Sequence, residues 1–209
     1  MIGEAVVMVH GLWMTGVELR VLGARIAAGG LTVHYFRYRS WRGGLDVAAQ
    51  ELRSLVQRCD AGRVHLVGHS LGGIVIARAL EGLPLDRVGR IALLGSPLNG
   101  SALVTALSSW WAGRLILGRM AREGILSHRP AAPPAQKLLI VAGTVPFGFS
   151  ALLRLHLPHD GTVFLGETRV PCAEFFPTRT THMGMLFSRQ VAARIRACFL
   201  DGIDIDGKP

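Results

Sequence analysis

The stretch "VHLVGHSLGG", Val64 to Gly73, carries a serine at the tip of a tight turn between glycines. Its first four residues are mostly apolar, which is typical of a buried strand, and the residues from Leu71 to Leu80 are typical of a helix. A serine between glycines is usually only a turn residue, because its hydroxyl bonds nearby backbone and glycine permits unusual dihedral angles. Here, however, Ser70 lies on a turn that joins a strand directly to a helix.

Apolar segments on either side of this turn predict strands that alternate with helices. The predicted strands are Ala5–Val9, Thr32–Arg39, Val64–Val67, Arg90–Leu94, Lys137–Ala142 and Cys172–Phe176. The predicted helices are Val17–Ala28, Leu45–Cys59, Leu71–Leu80 and Met185–Phe199. Alternation of this kind indicates the α/β class, with a mostly parallel sheet and helices on both of its faces.

The composition fits a single domain over residues 1–209. Half of the 209 residues are hydrophobic, so the chain can bury one substantial core. No repeat or convincing linker divides the sequence, and residues 201–209 are expected to form a flexible tail. No stretch of about 18 apolar residues is free of charge, which argues against a membrane-spanning helix.

Charge and cysteine content bear on partners and compartment. The formal net charge of +9 comes largely from scattered arginines. No run of adjacent basic residues and no nucleic-acid motif accompanies this charge, so no nucleic-acid partner is predicted. Three cysteines without a C-x-x-C pair, together with an N-terminus that reads as a strand and not as a signal peptide, favour a cytoplasmic protein. Contact with the periphery of a membrane stays open.

The glycines around Ser70 have a spacing that suits a nucleophile. Gly68 and Gly72 lie two residues before and two residues after the serine, which allows the strand and the helix to approach closely around a strained elbow. Such an elbow presents the hydroxyl outward, and the helix N-terminus offers backbone N–H groups to a developing oxyanion. The rival is Ser96 in "LGSPLNG", whose proline neighbour favours a plain turn.

Five short motifs occur in a telling order: "VHGLW", "GHSLGG", "GSPLNGS", "HDGTV" and "THMG". In this order they resemble the motifs of bacterial lipases and esterases of the α/β-hydrolase fold. The resemblance spans Val9 to about Gly184. It implies a catalytic triad of serine, acid and histidine that occur in that order along the chain.

A serine needs a base within hydrogen-bond reach, and the base must be oriented by a third group. His182 lies in the loop after the last predicted strand, at its carboxyl end, and is the predicted base. Six of the other histidines fit less well, because they fall inside predicted strands, inside the elbow or before the predicted acid: His34, His65, His69, His128, His156 and His159.

Asp160 is the predicted acid, because "HDGTV" resembles the D-G-x-V pattern around the acid of such lipases. It reaches the site only if the long stretch after Gly143 folds back. Asp86 precedes a strand and is expected at the opposite, amino edge of the sheet. Glu167 and Glu174 are the alternatives.

The resemblance also implies two oxyanion donors and a lid. The backbone N–H groups of Leu12 and Leu71 would hold the oxyanion. Residues 101–126 lie between two predicted strands, where these folds commonly insert a helical lid, although an ordinary packing helix fits equally well. The predicted substrate or lid contacts are Trp13, Leu107, Trp110 and Trp111. On one helix, Trp111 would share an apolar face with Val104, Leu107 and Leu115.

The sequence therefore predicts a serine carboxylester hydrolase that acts on apolar acyl esters, either small molecules or lipids. No cofactor is predicted. No metal is predicted either, because His156, His159 and Asp160 have no companion ligand cluster. Two alternatives stay open: an acyltransferase or thioesterase that uses the same triad, and a non-catalytic binding module on a hydrolase fold.

Overall fold

Six parallel strands form the sheet at the centre of the protein. The computed structural model describes residues 3–84, 86–127, 131–134, 137–148 and 158–200. The strands are β1 (Glu4–Val9), β2 (Thr32–Phe36), β3 (Arg63–His69), β4 (Val88–Leu94), β5 (Leu138–Gly143) and β6 (Glu174–Thr178). Their order across the sheet is β2-β1-β3-β4-β5-β6, and each neighbouring pair is parallel. The order places β3, which leads into Ser70, between β1 and β4.

Seven α-helices lie in the described part of the chain. They are α1 (Arg20–Ala27), α2 (Leu45–Arg58), α3 (Leu71–Leu80), α4 (Ala102–Ser108), α5 (Trp111–Arg122), α6 (Leu165–Thr168) and α7 (Arg189–Leu200). Short 3-10 turns precede α1 (Val17–Leu19) and α7 (Gly184–Phe187), and a π-helical turn follows α5 (Glu123–Ser127). None of the helices described is long and apolar enough to cross a bilayer.

Both faces of the sheet are buried. Successive residues of a strand point to opposite faces, and in β1 Val7 packs in one apolar cluster while Met8 packs in the other. Residues of α2, α3 and α5 complete the first cluster, and residues of α1 and α7 complete the second. Strands buried on both faces are apolar along nearly their whole length. The apolar runs of the central strands therefore predict these strands from the sequence.

The predicted architecture is confirmed, a parallel sheet with helices on both faces. Strand boundaries differ by a few residues, and β2 ends at Phe36, before the predicted Arg39. The stretch 101–126 differs more, because it forms two helices and a π-helical turn. The tail predicted at 201–209 lies outside the described residues.

Candidate active site

Ser70 lies between β3 and α3 in a backbone conformation that residues other than glycine rarely adopt, with φ 54° and ψ −121°. Two backbone hydrogen bonds hold it: Ser70 N donates to Leu94 O at 2.9 Å, and Gly73 N donates to Ser70 O at 3.0 Å. Strained backbone of this kind persists only where the surroundings over-determine it, and it concentrates at functional sites. The fold therefore maintains Ser70 in an elbow.

The glycines beside Ser70 are required by close approach. A Cβ atom at Gly68 would lie 2.8 Å from the backbone of Gly73, and one at Gly72 would lie 2.2 Å from Val9 O. Any side chain at these positions would push α3 away from β3 and β1. The two glycines therefore let the helix begin directly against the carboxyl ends of the central strands, as their spacing predicts.

His182 and Asp160 form a buried hydrogen-bonded pair. His182 Nδ1 lies 2.7 Å from Asp160 Oδ2, and the backbone N–H of His182 donates to Asp160 O at 2.8 Å. Asp160 is only 1% exposed and His182 only 8%. Because a carboxylate accepts at Nδ1, the proton is assigned to Nδ1, and this leaves the Nε2 lone pair free to act as a base.

The other carboxyl oxygen of Asp160 is fixed by backbone. Thr162 N and Val163 N donate to Oδ1 at 2.9 and 2.8 Å. Burial opposes ionisation, but the hydrogen bond with His182 and these two amides outweigh it, so the pKa of the Asp160 carboxyl lies below its ordinary value. Asp160 is therefore an anion at neutral pH with a fixed orientation.

A cavity of about 280 Å³ brings the predicted residues together. Ser70 and His182 line it, as do Leu12 and Leu71, whose N–H groups are the predicted oxyanion donors. The N–H of Leu71 is in the first turn of α3, where it has no partner within the helix. Ser70 Oγ has no hydrogen-bond partner among the described residues. Catalytic hydrogen bonds are often long until substrate binds, so we expect the Ser70–His182 bond to form in the substrate complex.

The alternative serine and acids lie elsewhere. Ser96 is buried under α3, where a Cβ atom at Gly73 would lie 2.1 Å from its Oγ. Asp86 precedes β4 at the amino edge of the sheet, as predicted. Glu174 begins β6 and pairs with Arg194. Glu167 accepts from two backbone amides, those of Phe164 and Ala102, and burial raises the pKa of its carboxyl.

Apolar side chains make up most of the cavity wall. Leu107 and Trp13 line the cavity, whereas Trp110 and Trp111 are not among its lining residues. Three further lining residues, from α5 and the following turn, were not predicted: Leu117, Ala121 and Ile125. Their spacing of four residues was not a usable signal, because Gly118, between Leu117 and Ala121, is not helical. A larger open groove between β2 and α2, about 520 Å³, holds none of the predicted catalytic residues.

The prediction of one helical face through Val104, Leu107, Trp111 and Leu115 is wrong. The chain is extended at Trp110, with φ −131° and ψ 154°, so α4 and α5 are separate helices. Trp111 is 75% exposed and Leu115 is 60% exposed, whereas Val104 and Leu107 line the cavity. Helical spacing cannot be carried across a break in the helix.

The possible metal ligands His156, His159 and Asp160 do not form a metal site in the part of the chain that the structure describes. His156 lies outside the described residues, and His159 Nδ1 accepts from Gly161 N at 3.0 Å. Within the described ranges, no group of three or more His, Cys, Asp or Glu side chains is placed to hold a metal ion. His159 therefore shapes the turn that carries Asp160.

His69 braces the loop of the predicted base. Its Nε2 donates to the carbonyl of His182 at 3.1 Å, and burial lowers the pKa of its imidazole to about 3. His10 and His65 are also buried with lowered pKa values, again mainly through burial. In the unfolded chain a histidine has a pKa of about 6.5. As the pH falls below that value, these histidines therefore bind protons in the unfolded state but stay neutral in the folded state.

Stability should therefore decrease with acidification below about pH 6.5, by up to about 1.4 kcal/mol per pH unit for each such histidine. We expect His69→Gln, which keeps an N–H donor but cannot titrate, to lose less stability than the wild type between pH 7 and pH 5. Urea unfolding at the two pH values measures this, with His34→Gln on β2 as the matched substitution. Equal losses in the wild type and His69→Gln would contradict the assignment.

Comparison with known proteins identifies the family and supports the fold. Residues 6–199 match the sequence profile of the alpha/beta hydrolase family, and the chain belongs to that family. A search of curated proteins finds no match. Among solved structures, the mature form of Bacillus licheniformis lipase BlEst2 is 19% identical, with a TM-score of 0.72 over 94% of this chain and 92% of that chain.

Two further structures have the same fold. The metagenomic carboxyl esterase MGS0156 is 16% identical, with a TM-score of 0.68 over 94% of this chain and 74% of its own. The pyrethroid hydrolase PytH is 15% identical, with a TM-score of 0.65 over 96% of this chain and 99% of its own. The α/β-hydrolase fold predicted from the motifs is therefore confirmed.

Proposed function

We propose that this protein is a serine carboxylester hydrolase that cleaves small apolar acyl esters. The observation that carries the proposal is that Ser70 and His182 line one cavity. Ser70 lies on a strained elbow, and His182 Nδ1 lies 2.7 Å from Oδ2 of the buried Asp160. An accessible serine, a base and an orienting anion are the three parts that nucleophilic ester cleavage needs. The esterase and lipase names of structural neighbours agree with it.

The reaction follows from these positions. Ser70 Oγ attacks the ester carbonyl carbon while His182 Nε2 takes the hydroxyl proton, and Asp160 stabilises the imidazolium. The carbonyl oxygen becomes an oxyanion that accepts from the N–H groups of Leu12 and Leu71. When the tetrahedral intermediate collapses, His182 returns its proton to the leaving alcohol. A water, deprotonated by His182, then attacks the acyl-enzyme. As the acid is released, His182 returns this proton to Ser70 Oγ, which restores the free serine.

The cavity suits a short or medium acyl chain. Its volume of about 280 Å³ is just below the usual range of ligand pockets, about 300–1,000 Å³. Its apolar wall stabilises methylene groups by about 0.8 kcal/mol each when they are removed from water. Acyl chains that fill the wall should therefore bind more tightly than acetate, up to the length that the cavity holds.

Hydrolysis of p-nitrophenyl esters from acetate to palmitate tests the proposal. We expect kcat/KM to rise from acetate to a medium chain and then to decrease. Ser70→Ala measured in parallel sets the background of adventitious hydrolysis. If the wild type does not exceed this background with any ester, the proposed activity is refuted.

The predicted lid contact has its own test in Trp110. Its side chain is 48% exposed, at the start of α5, so Trp110→Ala should change the melting temperature little. If the segment receives acyl chains, the variant should lose several-fold more activity on octanoate than on acetate. A ratio of the two activities equal to that of the wild type would show that Trp110 does not contact the substrate.

A further inference from the structure

The helix that walls the cavity is broken where it faces two tryptophans. Within α5, Gly118 has φ 68° and ψ −174°, which interrupts the helical hydrogen bonds. Arg119 N donates to Trp41 O at 3.1 Å, and so does not donate to Leu115 O, its partner in a regular helix. A Cβ atom at Gly118 would lie 2.3 Å from Trp41 O, so the break depends on glycine.

Two indole N–H groups bond the carbonyls beside the break. Trp41 Nε1 donates to Leu115 O at 2.8 Å, and Trp13 Nε1 donates to Ile116 O at 3.1 Å. Trp41 comes from the loop after β2, and Trp13 comes from the loop after β1. The position of α5 is therefore set by two loops at the carboxyl edge of the sheet.

Of these two loops, the one with Trp13 also carries the proposed oxyanion donor. Trp13 directly follows Leu12, and its backbone has φ 59°, a left-handed conformation that is uncommon for so bulky a residue. Its side chain is 54% exposed, so burial alone does not maintain this conformation. The N–H of Met14 donates to Gly11 O at 3.4 Å and closes the turn that contains Leu12 and Trp13, and the indole bond to Ile116 joins this turn to α5, 103 residues later in the chain.

The other side of α5 faces the acyl cavity. Leu117 and Ala121 line the cavity and are almost fully buried. The carbonyl of Ile116, which Trp13 bonds, belongs to the residue just before Leu117. The same short segment of α5 therefore contacts the oxyanion loop on its outer side and the cavity on its inner side.

From this arrangement we propose that Trp13 is a positioning residue, whose indole bond to the broken helix α5 keeps the Leu12 N–H directed at the oxyanion. The proposal rests on the proposed ester hydrolysis. Trp41 makes the equivalent bond to the preceding carbonyl of α5, that of Leu115, but is not in the oxyanion loop. It therefore provides a matched control, because Trp41→Phe removes the same kind of donor to a carbonyl of the same helix.

The test compares Trp13→Phe with Trp41→Phe, since each keeps an aromatic ring and removes one N–H. With p-nitrophenyl acetate, we expect Trp13→Phe to lower kcat about tenfold with little change in KM. This is part of the roughly 10²–10³-fold loss caused by removing a whole oxyanion donor. Trp41→Phe should stay within about twofold of the wild type. Both carbonyls belong to exposed residues and can bond water, so both melting temperatures should stay close to that of the wild type.

A second readout separates this proposal from the proposed function. The rate of labelling by a fluorophosphonate depends on the serine, the base and the oxyanion donors, but it needs no ester substrate. Trp13→Phe should be labelled about tenfold more slowly than Trp41→Phe. If the wild type is labelled but cleaves no ester, the proposed hydrolysis fails while the role of Trp13 is still decided by the labelling rates. Equal rates for the two variants, or a wild type that is not labelled, would overturn the role of Trp13.

Discussion

Replacing Ser70 with alanine is expected to abolish ester hydrolysis and leave the fold intact. Loss of the nucleophile of a serine hydrolase lowers kcat by about 10⁶, so the remaining rate should match background. The fold should tolerate the change, because the Ser70 hydroxyl has no hydrogen-bond partner in the described part of the chain. The φ of 54° is held by the backbone bonds to Leu94 and Gly73, which alanine can also form.

Ser96→Ala is the matched control for this variant. Ser96 also follows a central strand, but it is buried under α3, and its hydroxyl finds no partner among the residues described. We expect Ser96→Ala to keep its activity within a few-fold of the wild type. Initial rates with a medium-chain ester, together with far-UV circular dichroism and a melting curve, measure both variants. If activity survived in Ser70→Ala but was lost in Ser96→Ala, Ser96 and not Ser70 would be the nucleophile.

Asp160→Asn is expected to lower kcat by about 10⁴, the cost known for this change in a serine protease. The structure gives the reason in this chain. Thr162 N and Val163 N both donate to Oδ1, so the amide oxygen of an asparagine must stay there. Its NH₂ group then faces His182 Nδ1, which must accept, and the imidazole proton moves to Nε2. His182 would then have no lone pair directed at Ser70.

The control for the acid is Asp86→Asn, at the amino edge of the sheet, which should retain wild-type activity. Both variants should remain folded, and this is checked by urea unfolding. A second signature is the rate of fluorophosphonate labelling, which should decrease with kcat in Asp160→Asn. If Asp160→Asn were fully active and Asp86→Asn inactive, the catalytic acid would be Asp86, and the assignment of Asp160 would be wrong.

The elbow could be predicted from the sequence because its constraints are local. Gly68 and Gly72 meet backbone within a few residues of Ser70 or at the adjacent strand, so their spacing alone carries the signal. The four central strands were recognisable for a similar reason, because burial on both faces leaves them mostly apolar. The positions of Asp160 and His182 needed the resemblance as well, since no local pattern shows that residues 22 apart meet at 2.7 Å.

The wall of the cavity could not be predicted in the same way. Helical spacing placed Val104, Leu107, Trp111 and Leu115 on one face, whereas the extended backbone at Trp110 separates two helices. The break at Gly118 is stabilised by Trp13 and Trp41, which are far away in the chain. Contacts of this range depend on how the strands are ordered in the sheet, which periodicity does not reveal.

The central claim is that Ser70 is an activated nucleophile, and covalent labelling tests it most directly. The wild-type protein is treated with a fluorophosphonate and digested, and the modified residue is located by mass spectrometry. The expected result is one adduct per chain, on the peptide that contains Ser70, with no adduct in Ser70→Ala. An adduct on Ser96 or another residue, or an unlabelled wild-type protein that is properly folded, would contradict the account.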